Sequence, residues 1–263
     1  MLLVVDVGNT QTHFGVFEQA GPPLEHWRFA TVRESTCDEL GAVLANLLAL
    51  RGLRFEQIDA AIVSTTVPQL SEEWQAMATR YLEQEMLVVG PAIRTGMPIR
   101  MDNPHEVGAD RLVNAVAAYE RVRGACVVVD FGTAITYDVV SEAGEYLGGI
   151  ITPGAEISID ALYERAAKLP KVELAHPRSL IGKSTVDAIR SGIVYGFASQ
   201  VDGIVRRLRD ELGAATTVIA TGGLAGALVP FVRETIDEVD DLLTLTGLRL
   251  IWERNAPSHE GGG

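Results

Sequence analysis

An aspartate that ends an apolar run and is followed two residues later by glycine occurs twice in this chain, as Asp6-Val7-Gly8-Asn9-Thr10 and as Asp130-Phe131-Gly132-Thr133. A carboxylate at the end of a buried strand can hold a hydrated magnesium ion, and the glycine lets the turn backbone come close to a phosphate. Asn9 and Thr10 add hydrogen-bond donors. A single copy is equally a hairpin turn rich in glycine and asparagine. A plain hairpin has no reason to recur at the same point of a second half; two phosphate loops facing one nucleotide across a cleft do. A third turn, Thr221-Gly222-Gly223, follows a short apolar run. It can lie flat under an adenine or ribose, and it reads equally well as an ordinary strand-to-helix turn.

Between the two acid-glycine turns lies Gly108-Ala109-Asp110-Arg111, ahead of the helical stripe Leu112, Val116 and Tyr119. These four residues therefore stand at a helix N-terminus, where free amides favour an anion such as a carboxylate. Asp110 is suited to accept a hydroxyl proton during attack on a γ-phosphate, and Arg111 to grip a carboxylate or phosphate with two parallel hydrogen bonds. A structural ion pair, or a helix cap, accounts for the same two residues.

The elements that must position these groups repeat. Residues 2–6, 12–17 and 24–30 read as strands. Thr36 and Glu39 stand at capping-box spacing before the stripe Leu40, Val43, Leu44, Leu47 and Leu48, which predicts a helix. A strand at 60–64, a helix begun by Ser71 and a strand at 86–89 follow. The pattern restarts with strands at 126–130, 135–140 and 146–151, and aligning Asp6 with Asp130 superposes VVDVGNT on VVDFGTA. This is an internal duplication. A long helix is expected from Ser184 or Thr185, then a strand at 216–221 and helices at 224–236 and 241–253. Gly192, Gly196 and Gly203 lie inside the long helix, each costing about 1 kcal/mol against alanine. Their presence predicts either close approach of another backbone, with a subunit interface as one source, or a kinked surface helix. The division expected is a domain over 1–115, a second over 116–254 and a disordered tail over 255–263.

Composition narrows the function classes. With 47% apolar and 22% charged residues the chain is a globular protein long enough for two cores. Thirty-five acidic against 22 basic side chains, net −13, exclude general attraction to nucleic acid. No apolar run reaches the roughly 20 residues needed to cross a bilayer, and the first residues lack the basic start of a signal peptide, so a cytoplasmic protein is expected. Cys37 and Cys126 have no metal-ligand spacing and are read as reduced structural thiols. His13, His26, His105, His176 and His259 are scattered and read as surface or loop positions, with His13 near a phosphate. Gly182-Lys183-Ser184 lacks the glycine a P-loop needs at 177, where Pro177 stands.

In this order the three turns resemble the phosphate-1, phosphate-2 and adenosine motifs of the acetate kinase, sugar kinase, heat-shock chaperone and actin superfamily. That resemblance implies an α/β chain with a duplicated actin-like (ribonuclease H-like) fold: two domains, each with a central mixed β-sheet flanked by helices. The blocks DVGNT, NPHEVGADR, DFGTAITYD, YLGGIITPG and IGKSTVDAIRSGIVYG further resemble type III pantothenate kinase over nearly the whole chain. The resemblance implies ATP-dependent phosphorylation of pantothenate to 4'-phosphopantothenate, the first step of coenzyme A biosynthesis. It implies that Asp6, Val7, Gly8, Asn9, Thr10, Gln11, Thr12 and His13 contact ATP, as do Thr133 and the Gly222-Gly223 turn. Gly108, Ala109, Asp110 and Arg111 contact pantothenate, with Asp110 as proton acceptor. Magnesium near Asp6 and a monovalent cation at Asp130, potassium or ammonium, complete the set. The resemblance further implies that Thr185 reaches pantothenate from the neighbouring subunit of a homodimer.

Two positions depart from the family pattern. Met101 stands where an aromatic residue often precedes Asn103-Pro104, and Ile135 where a threonine is common. Two rivals remain at this level: a non-catalytic transcription accessory protein of the same fold, which could dispense with Asp110 or Asp130, and a kinase of the superfamily acting on another hydroxylated acid.

Overall fold

The computed structural model describes residues 1 to 256 apart from Gln19 and Pro91, so the expected tail lies, from residue 257 on, outside the described residues. Asn255 is not part of a tail. It ends the last helix, and its side-chain amide brackets Arg94, accepting from the backbone N–H at 3.1 Å and donating to the carbonyl at 2.8 Å.

Five strands form the first sheet: β1 (Leu2–Val7), β2 (Gln11–Phe17), β3 (Glu25–Ala30), β4 (Ala60–Thr65) and β5 (Met86–Val88), in the order β3-β2-β1-β4-β5. β1 pairs antiparallel with β2 and parallel with β4. One face carries Leu3, Val5, Val7, Phe14, Val16, Ala61 and Val63 into a core with helices α1 (Cys37–Ala49) and α2 (Pro68–Met77). α1 begins as its sequence predicts, with Thr36 and Glu39 each capping the other's backbone N–H. α2 begins at Pro68, three residues before the expected Ser71, because proline suits the first helical position, where no N–H is needed.

The second sheet repeats the first. Its strands are β6 (Cys126–Phe131), β7 (Ala134–Val140), β8 (Tyr146–Pro153), β9 (Thr217–Thr221) and β10 (Glu238–Val239), in the order β10-β9-β6-β7-β8. Every pairing has the sense of its counterpart: β6 runs antiparallel to β7, β7 to β8, and β6 and β9 run parallel, as do β9 and β10. Val127, Val129, Phe131, Ile135, Tyr137, Val218 and Ala220 bury one face against Val194, Phe197, Val201 and Val205 of the long helix. Between β8 and that helix the chain forms α4 (Ala155–Arg165), which the sequence reading missed. The long helix α5 (Thr185–Leu212) starts where expected, with the Ser184 hydroxyl accepting from the Asp187 N–H at 3.1 Å. The helix expected over 224–236 is only α6 (Ala225–Leu228), followed by a 3-10 turn at Val229–Phe231, because Pro230 has no N–H to continue the ladder.

The chain divides into two compact units whose boundaries differ from those expected. The first contains Met1–Met97, Asn103–Ala117 and the segment from Leu242 onward; the second contains Pro98–Asp102 and Ala118–Asp241. Two helices account for the difference. α3 (Ala109–Val122) carries the boundary within it, and α7 (Leu243–Asn255) belongs to the first unit although it follows the second sheet in sequence. α7 packs on β1, β2 and β4. A methyl group on Gly15 would lie 3.0 Å from Leu245, and one on Gly247 would collide with the Val113 carbonyl. Leu243, Leu245, Leu248 and Ile251 are buried there, each contributing about 1.5–3 kcal/mol of hydrophobic stabilisation. Pro98–Asp102 belongs to the second unit because Tyr146 pairs with it, accepting from the Arg100 N–H and donating to the Pro98 carbonyl, both at 2.8 Å.

Candidate active site

In the first unit the acid-glycine turn closes β1 onto β2. Asp6 is half-buried at the end of β1, opposite His13 on β2 and level with Ser64 on β4, so these three side chains share the face covered by α7. The Gly8 N–H donates to the Gln11 carbonyl at 3.0 Å, and a side chain at Gly8 would press on that same oxygen, which is why glycine stands there. The turn is tied down at both sides. Thr66 donates its N–H and its hydroxyl to the Val7 carbonyl at 2.9 and 3.2 Å, and Thr31 donates its N–H to the Thr10 carbonyl at 2.9 Å. Asn9, Thr10 and Gln11 stay exposed, and Arg33 donates to Asn9 Oδ1 at 3.3 Å. Thr66 and Arg33 were not legible as site residues, since neither lies in a motif.

Thr12 and His13 are buried, not exposed. The Thr12 hydroxyl meets that of Thr31 at 2.9 Å, and His13 Nε2 lies 3.2 Å from His26 Nδ1. Burial, with Arg28 and His26 nearby, lowers the His13 pKa to about 3, so its ring is neutral at physiological pH. The expectation of a surface or loop histidine is corrected: the ring is buried on the sheet face beside His26 of β3, and an uncharged imidazole does not neutralise a phosphate.

The segment 103–111 also lies in this unit. Asn103 caps the short turn Pro104–Glu106, and α3 then begins with Ala109 and Asp110. The Asp110 carboxylate folds back over Gly108: a methyl group there would stand 2.6 Å from Asp110 Oδ1. Burial raises the Asp110 pKa, opposed by the backbone N–H groups of Arg111 and Asp110 itself and by the Arg111 charge. A half-buried carboxylate with raised basicity at a helix start is the form a general base takes.

In the second unit the equivalent turn is built more tightly. Asp130 ends β6 opposite Thr136 on β7 and level with Thr221 on β9. Gly222 has φ +96°, and a side chain there would strike Asp130 Oδ1 and the Phe131 backbone. Thus Gly222 both requires the left-handed conformation and leaves the carboxylate uncovered. Thr133 is exposed at the turn, and its carbonyl accepts from the Gly154 N–H at 3.1 Å. Gly154, where any side chain would collide with the Gly132 and Thr133 carbonyls, is a third wall of this turn that sequence reasoning missed; the Pro153-Gly154 dipeptide was its signal. The structure therefore brings Asp130, Thr133 and Gly222 together. Thr185 is the exposed first residue of α5.

A family model for type III pantothenate kinase matches residues 2–207. The chain belongs to the type III pantothenate kinase family. Two curated members have full-length similarity: the type III pantothenate kinase of Moorella thermoacetica is 52% identical, and that of an Anaeromyxobacter species 53%. Each alignment covers 97% of this chain and 100% of the relative. Among solved structures, a candidate 2-dehydro-3-deoxygalactonokinase from Sinorhizobium meliloti superposes with a TM-score of 0.63 at 13% identity, covering 98% of this chain and 97% of the other. That likeness speaks to the fold, and it agrees with the duplicated actin-like architecture of a pantothenate kinase family member. Among the described residues no helix is long and apolar enough to cross a membrane.

Proposed function

We propose that this chain transfers the γ-phosphoryl group of ATP to the primary hydroxyl of pantothenate, giving 4'-phosphopantothenate and ADP, the opening reaction of coenzyme A biosynthesis. Full-length identity of about half with type III pantothenate kinases carries the reading, and an acid-glycine turn at the end of the central strand of both sheets supports it. Asp6, Gly8, Asn9, Thr10 and Gln11, together with Thr133, Gly222 and Gly223, contact the nucleotide, while the buried Val7, Thr12 and His13 support the first turn from beneath. Gly108, Ala109, Asp110, Arg111 and Thr185 contact pantothenate. Asp110 takes the hydroxyl proton as the oxygen attacks the γ-phosphorus, and ADP leaves. Phosphoryl transfer asks chiefly for positioning and charge neutralisation, so the half-buried, more basic carboxylate and its fixed place over Gly108 fit the role.

Metal requirements fit the donor atoms. Among the described residues no three His, Cys, Asp or Glu side chains cluster as a closed metal site. Magnesium would then take Asp6 and complete its shell with phosphate oxygens and water, its usual mode in kinases. Asp130, with threonines level with it on both neighbouring strands, offers only oxygen ligands, which suit potassium or ammonium. When bound, these ions offset phosphate charge.

The enzyme works as a homodimer in which Thr185 reaches the neighbouring subunit's pantothenate. Support comes from α5: side chains added at Gly192, Gly196 and Gly203 would meet nothing of the same chain within 4 Å, so the close approach these glycines permit is not used internally. The two free thiols, Cys37 and the buried Cys126, agree with a reducing cytoplasm. An ADP-release assay with and without pantothenate, in potassium and in sodium buffer, tests the reading. Pantothenate-dependent ADP release is expected. Release without pantothenate points to another acceptor, and silence in every condition to a non-catalytic protein.

A further inference from the structure

Asp138 on β7 is a carboxylate with no solvent exposure, and the reaction described above makes no use of it. A buried charge is tolerated only when hydrogen bonds replace its lost water. Asp138 Oδ1 accepts from the Tyr146 hydroxyl at 2.8 Å, and Oδ2 accepts from the Thr136 hydroxyl at 3.1 Å. Thr136 stands two residues back along the same strand face and pairs in register with Asp130. Directly opposed residues on antiparallel strands hold their Cβ atoms about 5 Å apart, so the Thr136 and Asp130 side chains stand side by side on one sheet face.

A hydroxyl has one hydrogen and two lone pairs. With its hydrogen committed to Asp138, Thr136 presents only lone pairs to its surroundings. Without Asp138 that hydrogen can turn towards Asp130, its register partner on β6, and such a bond would occupy a lone pair of the carboxylate read above as a cation ligand. We propose that Asp138 is a positioning residue that fixes the sense of the Thr136 hydroxyl, making it a second oxygen ligand for a monovalent cation beside Asp130. Tyr146 holds the other carboxylate oxygen and keeps Asp138 in place. The inference rests on the cation reading of Asp130 and deepens it.

The test is the potassium dependence of ATP affinity, measured by calorimetry in potassium chloride titrated against choline chloride, with urea unfolding run on the same proteins. Asp138→Asn keeps the shape but can donate to Thr136, releasing the hydroxyl hydrogen towards Asp130. It should raise the potassium concentration for half-maximal tightening about tenfold. Thr136→Val should do the same, and Thr136→Ser should stay within about twofold of wild type. Asp138→Asn combined with Thr136→Val should be no worse than Thr136→Val alone, because both act through one oxygen. Tyr146→Phe, which frees the other carboxylate oxygen, should lower the urea midpoint and raise the potassium midpoint by less than Asp138→Asn does. If Asp138→Asn does not fold, the Val and Ser variants at 136 decide. A wild-type protein insensitive to potassium overturns the cation reading and this inference together. A potassium-sensitive wild type whose midpoint is unmoved in Thr136→Val, or additive losses in the double variant, overturns this inference alone.

Discussion

Gly108→Ala is the sharpest single perturbation of the proposed base. The backbone at 108 lies outside the left-handed region, so alanine adopts it without strain. Its methyl group, however, would sit 2.6 Å from Asp110 Oδ1, against ordinary contact from 3.4 Å, so the carboxylate must withdraw by ~0.8 Å. The displaced atom is the tip of a side chain in a half-buried site, and the fold should lose less than about 1 kcal/mol, partly offset by the stiffer unfolded chain. Positioning is far less forgiving, since misplacement by about 1 Å can cost 10²-fold in rate. Steady-state ADP release should therefore show kcat down about 10²-fold, the ATP KM within about twofold, and an unfolding midpoint close to wild type. If kcat stays within about threefold while a crystal structure shows the carboxylate displaced, Asp110 is not a base whose position matters.

Other expectations follow from the same geometry. Because burial raises the Asp110 pKa, the acid limb of kcat/KM should lie above the usual carboxylate range and disappear in Asp110→Asn, whose turnover should fall about 10²–10⁴-fold. The sign for stability is the reverse of a salt-bridged acid: the native protein binds the proton more tightly than the unfolded chain, so wild-type stability relative to Asp110→Asn should fall as pH rises from the unfolded pKa through the raised folded one, read by urea titration across that window. Gly222→Ala combines a positive φ with collision against Asp130 and the Phe131 backbone, and should cost about 3 kcal/mol or more in urea unfolding and weaken ATP binding; a near-neutral variant would show that the turn relaxes. Mixing inactive Asp110→Asn and Thr185→Ala subunits should restore about a quarter of wild-type activity if sites are shared across a dimer, since half of the random dimers carry one intact site. Activity no higher than that of the two separate variants would place Thr185 in its own subunit's site or outside any site.

Much of this was written locally in the chain. The capping box at Thr36 and Glu39, the Ser184 cap and the two aspartate-ended strands are signals set by neighbours within four residues, and each was found where read. What depends on distant partners was not legible. α7 carries an apolar stripe that any sheet could accept, and only its packing on β1, β2 and β4, with Leu245 seated against Gly15, assigns it to the first. His13 reads as a surface or loop residue near a phosphate, but burial keeps its ring neutral, with Arg28 and His26 of β3 beside it, which only strand pairing brings there. In the same way the Thr136, Asp138 and Tyr146 hydrogen bonds arise from a register that no spacing announces.

The central claim is phosphoryl transfer to one alcohol by one base, and phosphorus-31 NMR of the full reaction reads it directly. Wild-type protein with ATP, magnesium, potassium and pantothenate should yield a new phosphate monoester in step with ADP, while Asp110→Asn binds ATP normally and makes almost none. ADP with free inorganic phosphate and no ester, or an Asp110→Asn protein that forms the ester at the wild-type rate, would contradict it.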